Sequence, residues 1–354
     1  MRNGTILIPT LNPTKDLVEY IETLIREGFD EILVVDDGSD VECQPLFEQI
    51  ARLRECTLLR HAINLGKGRA LKTGMNYYMN HSRTHCGLIT VDSDGQHLVK
   101  NVIEMDEKLK EAGEEGGMGV ILGYRDFEQE NVPPKSRFGN KCTSAVFRLF
   151  YGTKIRDTQT GLRAFTNETM KYFLGLEGER FEYETNMLIA IRRYQIPLYE
   201  LPIDTVYLNN NSGTHFRPVQ DSWRIYALLM KEFMKFGMVS ILSFLIDITL
   251  FWLLSYILRG QEMVLQVVVS TVGARICSSL FNCMMNMKVV FESRENLRMI
   301  LIKYYALVAV QMLCSALLVY LGTMALPIHR VVIKVCVDSL LFLASYYIQK
   351  NYVY

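Results

Sequence analysis

Four apolar stretches near the carboxyl terminus constrain this chain more than any other feature. Residues 236–258, 264–287, 300–321 and 331–348 all fall within the range of ~17–25 residues that lets a helix cross a hydrocarbon core. In lipid every backbone N–H and C=O must be satisfied within the protein, so such stretches are read as helices. The expectation is an all-α membrane domain of about four transmembrane helices over 236–354. Ahead of it, charged residues crowd the chain up to about Lys235. Residues 1–215 therefore read as a globular domain. Residues 216–235, where Trp223, Ile225, Tyr226, Leu228, Leu229 and Phe233 mix with Arg224, Lys231 and Lys235, read as an interfacial amphipathic helix. An even number of spans returns the carboxyl terminus to the side of the globular domain. Lys288, Arg294, Arg298 and Lys303 cluster around the second loop, against Arg259 and Arg330 in the first and third. That bias predicts a multi-pass protein of the cell (plasma or inner) membrane with its globular domain in the cytoplasm. The apolar Ile6-Leu7-Ile8 lies too near Met1 to be the core of a signal peptide, which leads to the same expectation. Asp247, Arg275, Lys334 and Asp338 fall within spans and should face a partner or cavity; Asp247 with Arg275 is the expected pair.

In the globular part, short apolar runs alternate with helical spacing. Strands are expected near 5–9, 31–35, 57–59, 86–91 and 119–123, and helices near 16–27, 44–54 and 99–112. The alternation predicts an α/β fold with a mostly parallel, Rossmann-like sheet. Ligands of such sheets bind at the carboxyl ends of the strands. Pro9, Asp36, Asp37 and Asp92 all fall there. Lys+Arg and Asp+Glu both number 38, so no global charge argues for nucleic acid. The eight cysteines show no C-x-x-C pair and read as reduced core thiols.

Each polar loop has a functional and a bland reading. Asp92-Ser93-Asp94 follows the fourth strand. Its two acids repel unless a cation lies between them, which suits Mg2+ or Mn2+ bound beside a diphosphate; the alternative is an ordinary Asp/Gly turn. Asp36 or Asp37 can accept hydrogen bonds from a base or ribose, or cap its own turn. Lys67, between Gly66 and Gly68 at a helix start, can approach a phosphate or remain a solvated loop charge; the spacing is neither Walker A nor G-x-G-x-x-G. Arg125, Arg137 and Lys141 are candidates for phosphate or are surface charges. Glu182 and Glu184 fit a helix N-terminus as well as a site.

Taken together, Pro9-Thr10-Leu11-Asn12, Val35-Asp36-Asp37-Gly38-Ser39, Asn64-x-Gly66-Lys67-Gly68, Asp92-Ser93-Asp94-Gly95-Gln96-His97, Gly123-Tyr124-Arg125 and Asp157-x-Gln159-Thr160-Gly161 resemble a family 2 glycosyltransferase. Within that family they are similar to the polyprenyl- or dolichol-phosphate mannose and glucose synthases. The resemblance implies a GT-A fold and inverting transfer of a hexose from a nucleotide sugar, UDP-glucose or GDP-mannose, to polyprenyl phosphate for a cell-envelope glycan. It implies that Pro9, Asp36, Asp37, Lys67 and Asp92 hold the nucleotide sugar and that Asp92, Asp94 and Gln96 hold the metal. Arg125, Ser136 and Arg137 would hold the acceptor phosphate, and Asp92, Asp94, Arg125 and Arg137 would carry catalysis. Leu11 and Pro13 stand where the family often has Tyr and Glu, and Ser93 where Ala is common. Residues 235–354, with Ala274-Arg275-x-x-Ser278-Ser279-x-x-Asn282-x-x-x-Asn286, resemble the GtrA-like membrane domain, whose family is tied to polyprenyl-linked sugars. A homo-oligomer is left open. Two rival readings are a processive polysaccharide synthase and a lipid-linked sugar transporter whose globular domain senses nucleotide sugar. The first usually carries Q-x-x-R-W, whereas this chain has Gln220-Asp221-Ser222-Trp223-Arg224. The second does not account for the complete metal and phosphate motifs.

Overall fold

The computed structural model describes residues 2–81, 85–126, 134–204, 218–293, 295–325 and 329–354; within these, the side chains of 115–116, 134–136, 138, 149 and 218–222 are not described. The chain forms two units, 1–228 and 229–354.

In the first unit, β1 (Gly4–Thr10) is buried at every position, because helices cover both faces of the sheet. The other strands are β2 (Ile32–Asp36), β3 (Cys56–Arg60), β4 (Gly87–Thr90), β5 (Val120–Arg125), β6 (Arg163–Thr166) and β7 (Leu198–Ile203). Their spatial order is β3-β2-β1-β4-β6-β5-β7. All neighbouring pairs are parallel except the two that β6 makes, with β4 and with β5. The helices are α1 (Asp16–Arg26), α2 (Gln44–Ala51), α3 (Lys67–His81), α4 (Val99–Gly116), α5 (Pro134–Tyr151), α6 (Asn167–Leu174) and α7 (Glu182–Arg193). In α1 the buried Leu17, Ile21 and Leu24 recur at helical spacing and pack on the sheet with Ile6, Ile8 and Val34. Each such fully buried side chain contributes about 1.5–3 kcal/mol. Gly28, at φ +95°, ends the helix in the left-handed conformation that glycine adopts most readily.

The remaining helices are α8 (Pro218–Ile257), α9 (Met263–Met285), α10 (Leu297–Ala325) and α11 (Arg330–Ile348). The expected interfacial segment and first span form one unbroken helix, α8. Among the described residues, four helices are long and apolar enough to cross a membrane. Their outward positions are apolar, with Phe244, Leu245, Val264, Leu313 and Leu340 among those exposed, as a lipid-facing surface requires. Polar side chains turn inward within the second unit and bond across helices. Asn282 Nδ2 donates to Ser243 Oγ at 3.0 Å and its Oδ1 accepts from Tyr304 Oη at 3.1 Å. Asn286 Nδ2 donates to Asn282 Oδ1 at 2.9 Å and to Gln349 Oε1 at 3.3 Å. Asn286 and Gln349 each open a π turn, Asn286–Val290 and Gln349–Val353. Arg275 pairs with Asp247 at 3.3 Å, as expected from sequence, and Lys334 pairs with Asp338 on its own helix at 2.9 Å.

Candidate active site

The antiparallel setting of β6 builds the site. Thr90, at the end of β4, lies opposite Arg163, at the start of β6. The loop before β6 therefore reaches the same sheet edge as the carboxyl ends of β1, β2, β4, β5 and β7. Asp92 follows β4 and meets that loop directly. A Cβ built on Gly161 would lie 2.0 Å from Asp92 Oδ2, so only glycine leaves room for the carboxylate. On its other side Asp92 Oδ1 receives the Lys67 ammonium at 2.7 Å. His97 Nε2 stands 3.5 Å from Oδ2, within electrostatic reach but long for a hydrogen bond.

Lys67 also reaches Glu184 Oε1 at 3.2 Å, so one cation serves two carboxylates. Burial works against the ammonium, but Asp92 and Glu184 outweigh it and hold the Lys67 pKa above its ordinary value. Burial likewise opposes ionisation of Asp92, yet Lys67 and His97 overcome it and keep this carboxyl well below the usual range. Asp94 is pushed the other way, by burial and by the negative Asp92.

Asp36 and Asp37 have distinct tasks. Asp36 Oδ1 accepts from Ser39 N at 2.9 Å and closes its own turn. Asp37 accepts from Leu65 N at 3.0 Å, Gly66 N at 2.8 Å and the His61 ring at 2.7 Å. It thereby pins the loop that launches α3 and fixes the root of Lys67. Pro9 is buried inside β1, in register with Val35.

Arg125 forms a two-pronged pair with Asp157, Nε to Oδ2 at 2.7 Å and Nη2 to Oδ1 at 3.1 Å. The Asp157 side chain is fully buried, so the pair fastens the end of β5 to the loop before β6. Arg137 lies in the first turn of α5; the Ser136 side chain is outside the described residues. A cleft of about 1020 Å³ opens beside Arg125, lined by the cations Lys141, Arg148, Lys154 and Arg156 and the acids Glu104, Asp126 and Asp204. Asp92, Asp94 and Lys67 do not line it.

Among the described residues, no three His, Cys, Asp or Glu side chains gather closely enough to hold a metal ion alone. Asp92 and Asp94 with neighbouring oxygens fit a hard divalent ion that takes further ligands from a substrate diphosphate. Gln96 supplies a backbone N–H to Asp94 Oδ1 at 3.1 Å. Several buried polar atoms of this edge make no hydrogen bond among the described residues: Thr10 Oγ1, Tyr20 Oη, both His97 ring nitrogens and Thr160 Oγ1. Buried polar atoms are ordinarily satisfied by protein or water, so each of these calls for a partner beyond the described side chains. Burial and the negative Asp94 and Asp92 keep the Tyr20 phenol protonated, hence a donor.

Comparison with known proteins accords with this geometry. Residues 5–173 match the Glycosyl transferase family 2 model and 235–354 match the GtrA/DPMS transmembrane domain. An uncharacterized protein of Methanocaldococcus jannaschii is 32% identical over 228 residues, 64% of this chain and 91% of that protein. The chain is a family 2 glycosyltransferase. It carries a second, GtrA-like domain and is a multi-pass membrane protein. The glycosyltransferase is also similar to the UDP-N-acetylglucosamine–dolichyl-phosphate N-acetylglucosaminyltransferase of Methanococcus voltae, at 25% identity over 65% of this chain and 96% of that one. A dolichyl-phosphate beta-glucosyltransferase of Dictyostelium discoideum is 26% identical over 57% of this chain and 63% of its own length.

Three residues of this glycosyltransferase carry weight that sequence reasoning missed. Arg163 is 2% exposed and bonds Thr160 O at 2.8 Å and Glu184 O at 2.9 Å, tying β6 to α7. Gly161 makes room for Asp92, and His97 backs it. His97 and Gly161 stood inside recognised motifs, but their tasks depend on a strand pairing that spacing does not reveal.

Proposed function

We propose that this glycosyltransferase moves a hexose from a nucleotide sugar, UDP-glucose or GDP-mannose, to the phosphate of a polyprenyl lipid at the cytoplasmic face of the membrane, in the service of cell-envelope glycan synthesis. The observation that carries the reading is the meeting of Asp92, Asp94 and Lys67 at the carboxyl edge of the sheet, in a chain that also holds four membrane-crossing helices. The names of the similar archaeal and slime-mould proteins support a lipid-phosphate acceptor. The loop charge bias, with Lys288, Arg294, Arg298 and Lys303 on one side, supports the cytoplasmic face.

Asp92, Asp94 and Gln96 would hold Mg2+ or Mn2+, which when bound stabilises charge on the departing diphosphate. Asp36 and Asp37 shape the nucleotide side, and Lys67 places a cation where the diphosphate charge gathers. An oxygen of the lipid phosphate attacks the anomeric carbon as the bond to the nucleoside diphosphate breaks, inverting the configuration. The acceptor is already ionised, its second pKa being about 6 by analogy with phosphorylated side chains, so the site needs no strong base. It needs alignment of two anions that repel each other. Arg125, fastened by Asp157, would take that task with Arg137 and Ser136, beside a cleft that Lys141, Arg148, Lys154 and Arg156 line together with Glu104, Asp126 and Asp204.

The test is incubation of the purified full-length protein in detergent with radiolabelled UDP-glucose or GDP-mannose, divalent metal and undecaprenyl or dolichyl phosphate. A labelled, lipid-extractable product is expected from the wild type. Asp92→Ala should reduce it by more than about 100-fold, since loss even of a group that merely orients a metal ligand costs 10–100-fold. Absence of product from every donor overturns the reading.

A further inference from the structure

We propose that Lys67 is an internal counter-cation for Asp92 that yields its place when metal and nucleoside diphosphate bind, with Glu184 as its second seat. This rests on the metal- and nucleotide-binding reading above and adds what the protein itself does on loading. Lys67 Nζ lies 2.7 Å from Asp92 Oδ1 and 3.2 Å from Glu184 Oε1, so both seats are within its reach. Arg163 Nε, 3.9 Å from the same Glu184 oxygen, shares that second carboxylate.

The backbone around Lys67 cannot follow the side chain. Gly66 N is held by Asp37 at 2.8 Å and Arg69 N by Glu179 O at 2.9 Å. Gly66 and Gly68 pack so tightly on residues 179–183 that an added Cβ would lie 2.4 and 2.6 Å from its nearest neighbours. Movement is left to the flexible four-carbon stem. Asp92 is flanked on its other side: the absent Cβ of Gly161 leaves room for its carboxylate, and His97 Nε2 stands 3.5 Å from Oδ2. If Asp92 held a divalent ion, its carboxylate would be shared between that ion and the Lys67 ammonium. Two cations on one carboxylate repel, and the repulsion falls only when one of them finds another anion. A nucleoside diphosphate removes the conflict by giving the ammonium a new anion and the metal new oxygens. Lys67 thus makes metal binding depend on nucleotide and, by reciprocity, nucleotide binding depend on metal.

Mn2+ binding to the full-length protein in detergent, followed by electron paramagnetic resonance with and without UDP or GDP, tests this. The quantity to read is the ratio of Mn2+ affinities with and without nucleotide. In the wild type nucleotide should raise Mn2+ affinity. In Lys67→Met the nucleotide-free affinity should rise about 10-fold and the ratio should shrink by a similar factor, within the 5–150-fold range of typical couplings. In Glu184→Gln the ammonium keeps only Asp92, so nucleotide-free affinity should fall and the ratio should grow. A merely structural or fixed-charge role shifts both affinities together and leaves the ratio at its wild-type value; that result in Lys67→Met overturns the proposal. Should Lys67→Met not fold, an unchanged ratio in Glu184→Gln overturns it alone. No Mn2+ binding by the wild type even with nucleotide instead overturns the metal reading beneath it.

Discussion

At the scale of single residues, the site depends on what surrounds Asp92 as much as on Asp92 itself. Gly161→Ala puts a methyl group where the carboxylate now lies, 2.0 Å from Oδ2. The expected cost is about 1–3 kcal/mol of stability, as for other overpacked positions. Transfer should fall about 10–100-fold, as when the support of a metal ligand is lost. Denaturant unfolding and the lipid-product assay read the two effects, and normal values for both would show that Asp92 is free to move. A second residue acts far from the site. His85 contacts Glu31 at 3.1 Å and Asp30 at 3.1 Å. The hydrogen bond to Glu31 outweighs burial, and with Asp30 it raises the His85 pKa above its usual value. A raised folded-state pKa means that this stabilisation is complete below the unfolded value of about 6.5 and is lost as pH climbs through the folded value. Stability measured across pH 6 to 8 should decline from this source, and His85→Gln should flatten the decline. An unchanged slope would discount the pairing.

At the scale of elements, reversal of β6 is the decisive event. A parallel strand at that place would deliver its preceding loop to the opposite edge, and neither Gly161 nor Asp157 would reach Asp92 or Arg125. The α3 start is the other constructed element, held from one side by Asp37 and from the other by residues 179–183. In the membrane unit, Asn282 joins three helices through bonds with Ser243, Asn286 and Tyr304. Such bonds average about 0.6 kcal/mol in a membrane, so Asn282→Ala should cost about 2 kcal/mol. Steric-trapping or detergent unfolding of the full-length protein measures it; a loss under a few tenths would mean that the surrounding helices repack without the network.

At the scale of the whole molecule, the proposed orientation rests on four candidate crossings among the described residues and on the cations of the second loop. A fluorescent protein fused after Tyr354 should fluoresce in a bacterial host, and alkaline phosphatase fused there should be inactive, because both would lie in the cytoplasm. The reverse pattern would place the catalytic unit outside and remove its access to nucleotide sugars. If the acceptor is the proposed lipid phosphate, tethering the catalytic unit to the bilayer would raise its effective concentration without any new contact.

Much of this protein is legible in the order of its amino acids. Apolar length alone specifies the membrane helices, because a backbone in lipid has no other partner than itself. Alternating periodicity specifies the α/β sheet, and it places Asp36, Asp37, Asp92 and Arg125 at or just beyond the carboxyl ends of their strands, where the structure has them. Their division of labour is not legible. That Asp37 pins a loop, that Arg125 is engaged by Asp157 and that Lys67 bridges Asp92 and Glu184 follow from contacts between residues distant in the chain. Local pattern reports which groups reach an edge. Only the crossing order of the strands, and the reversal of β6 within it, decides which charges meet there, because electrostatic pairing acts across space and leaves no period in the chain.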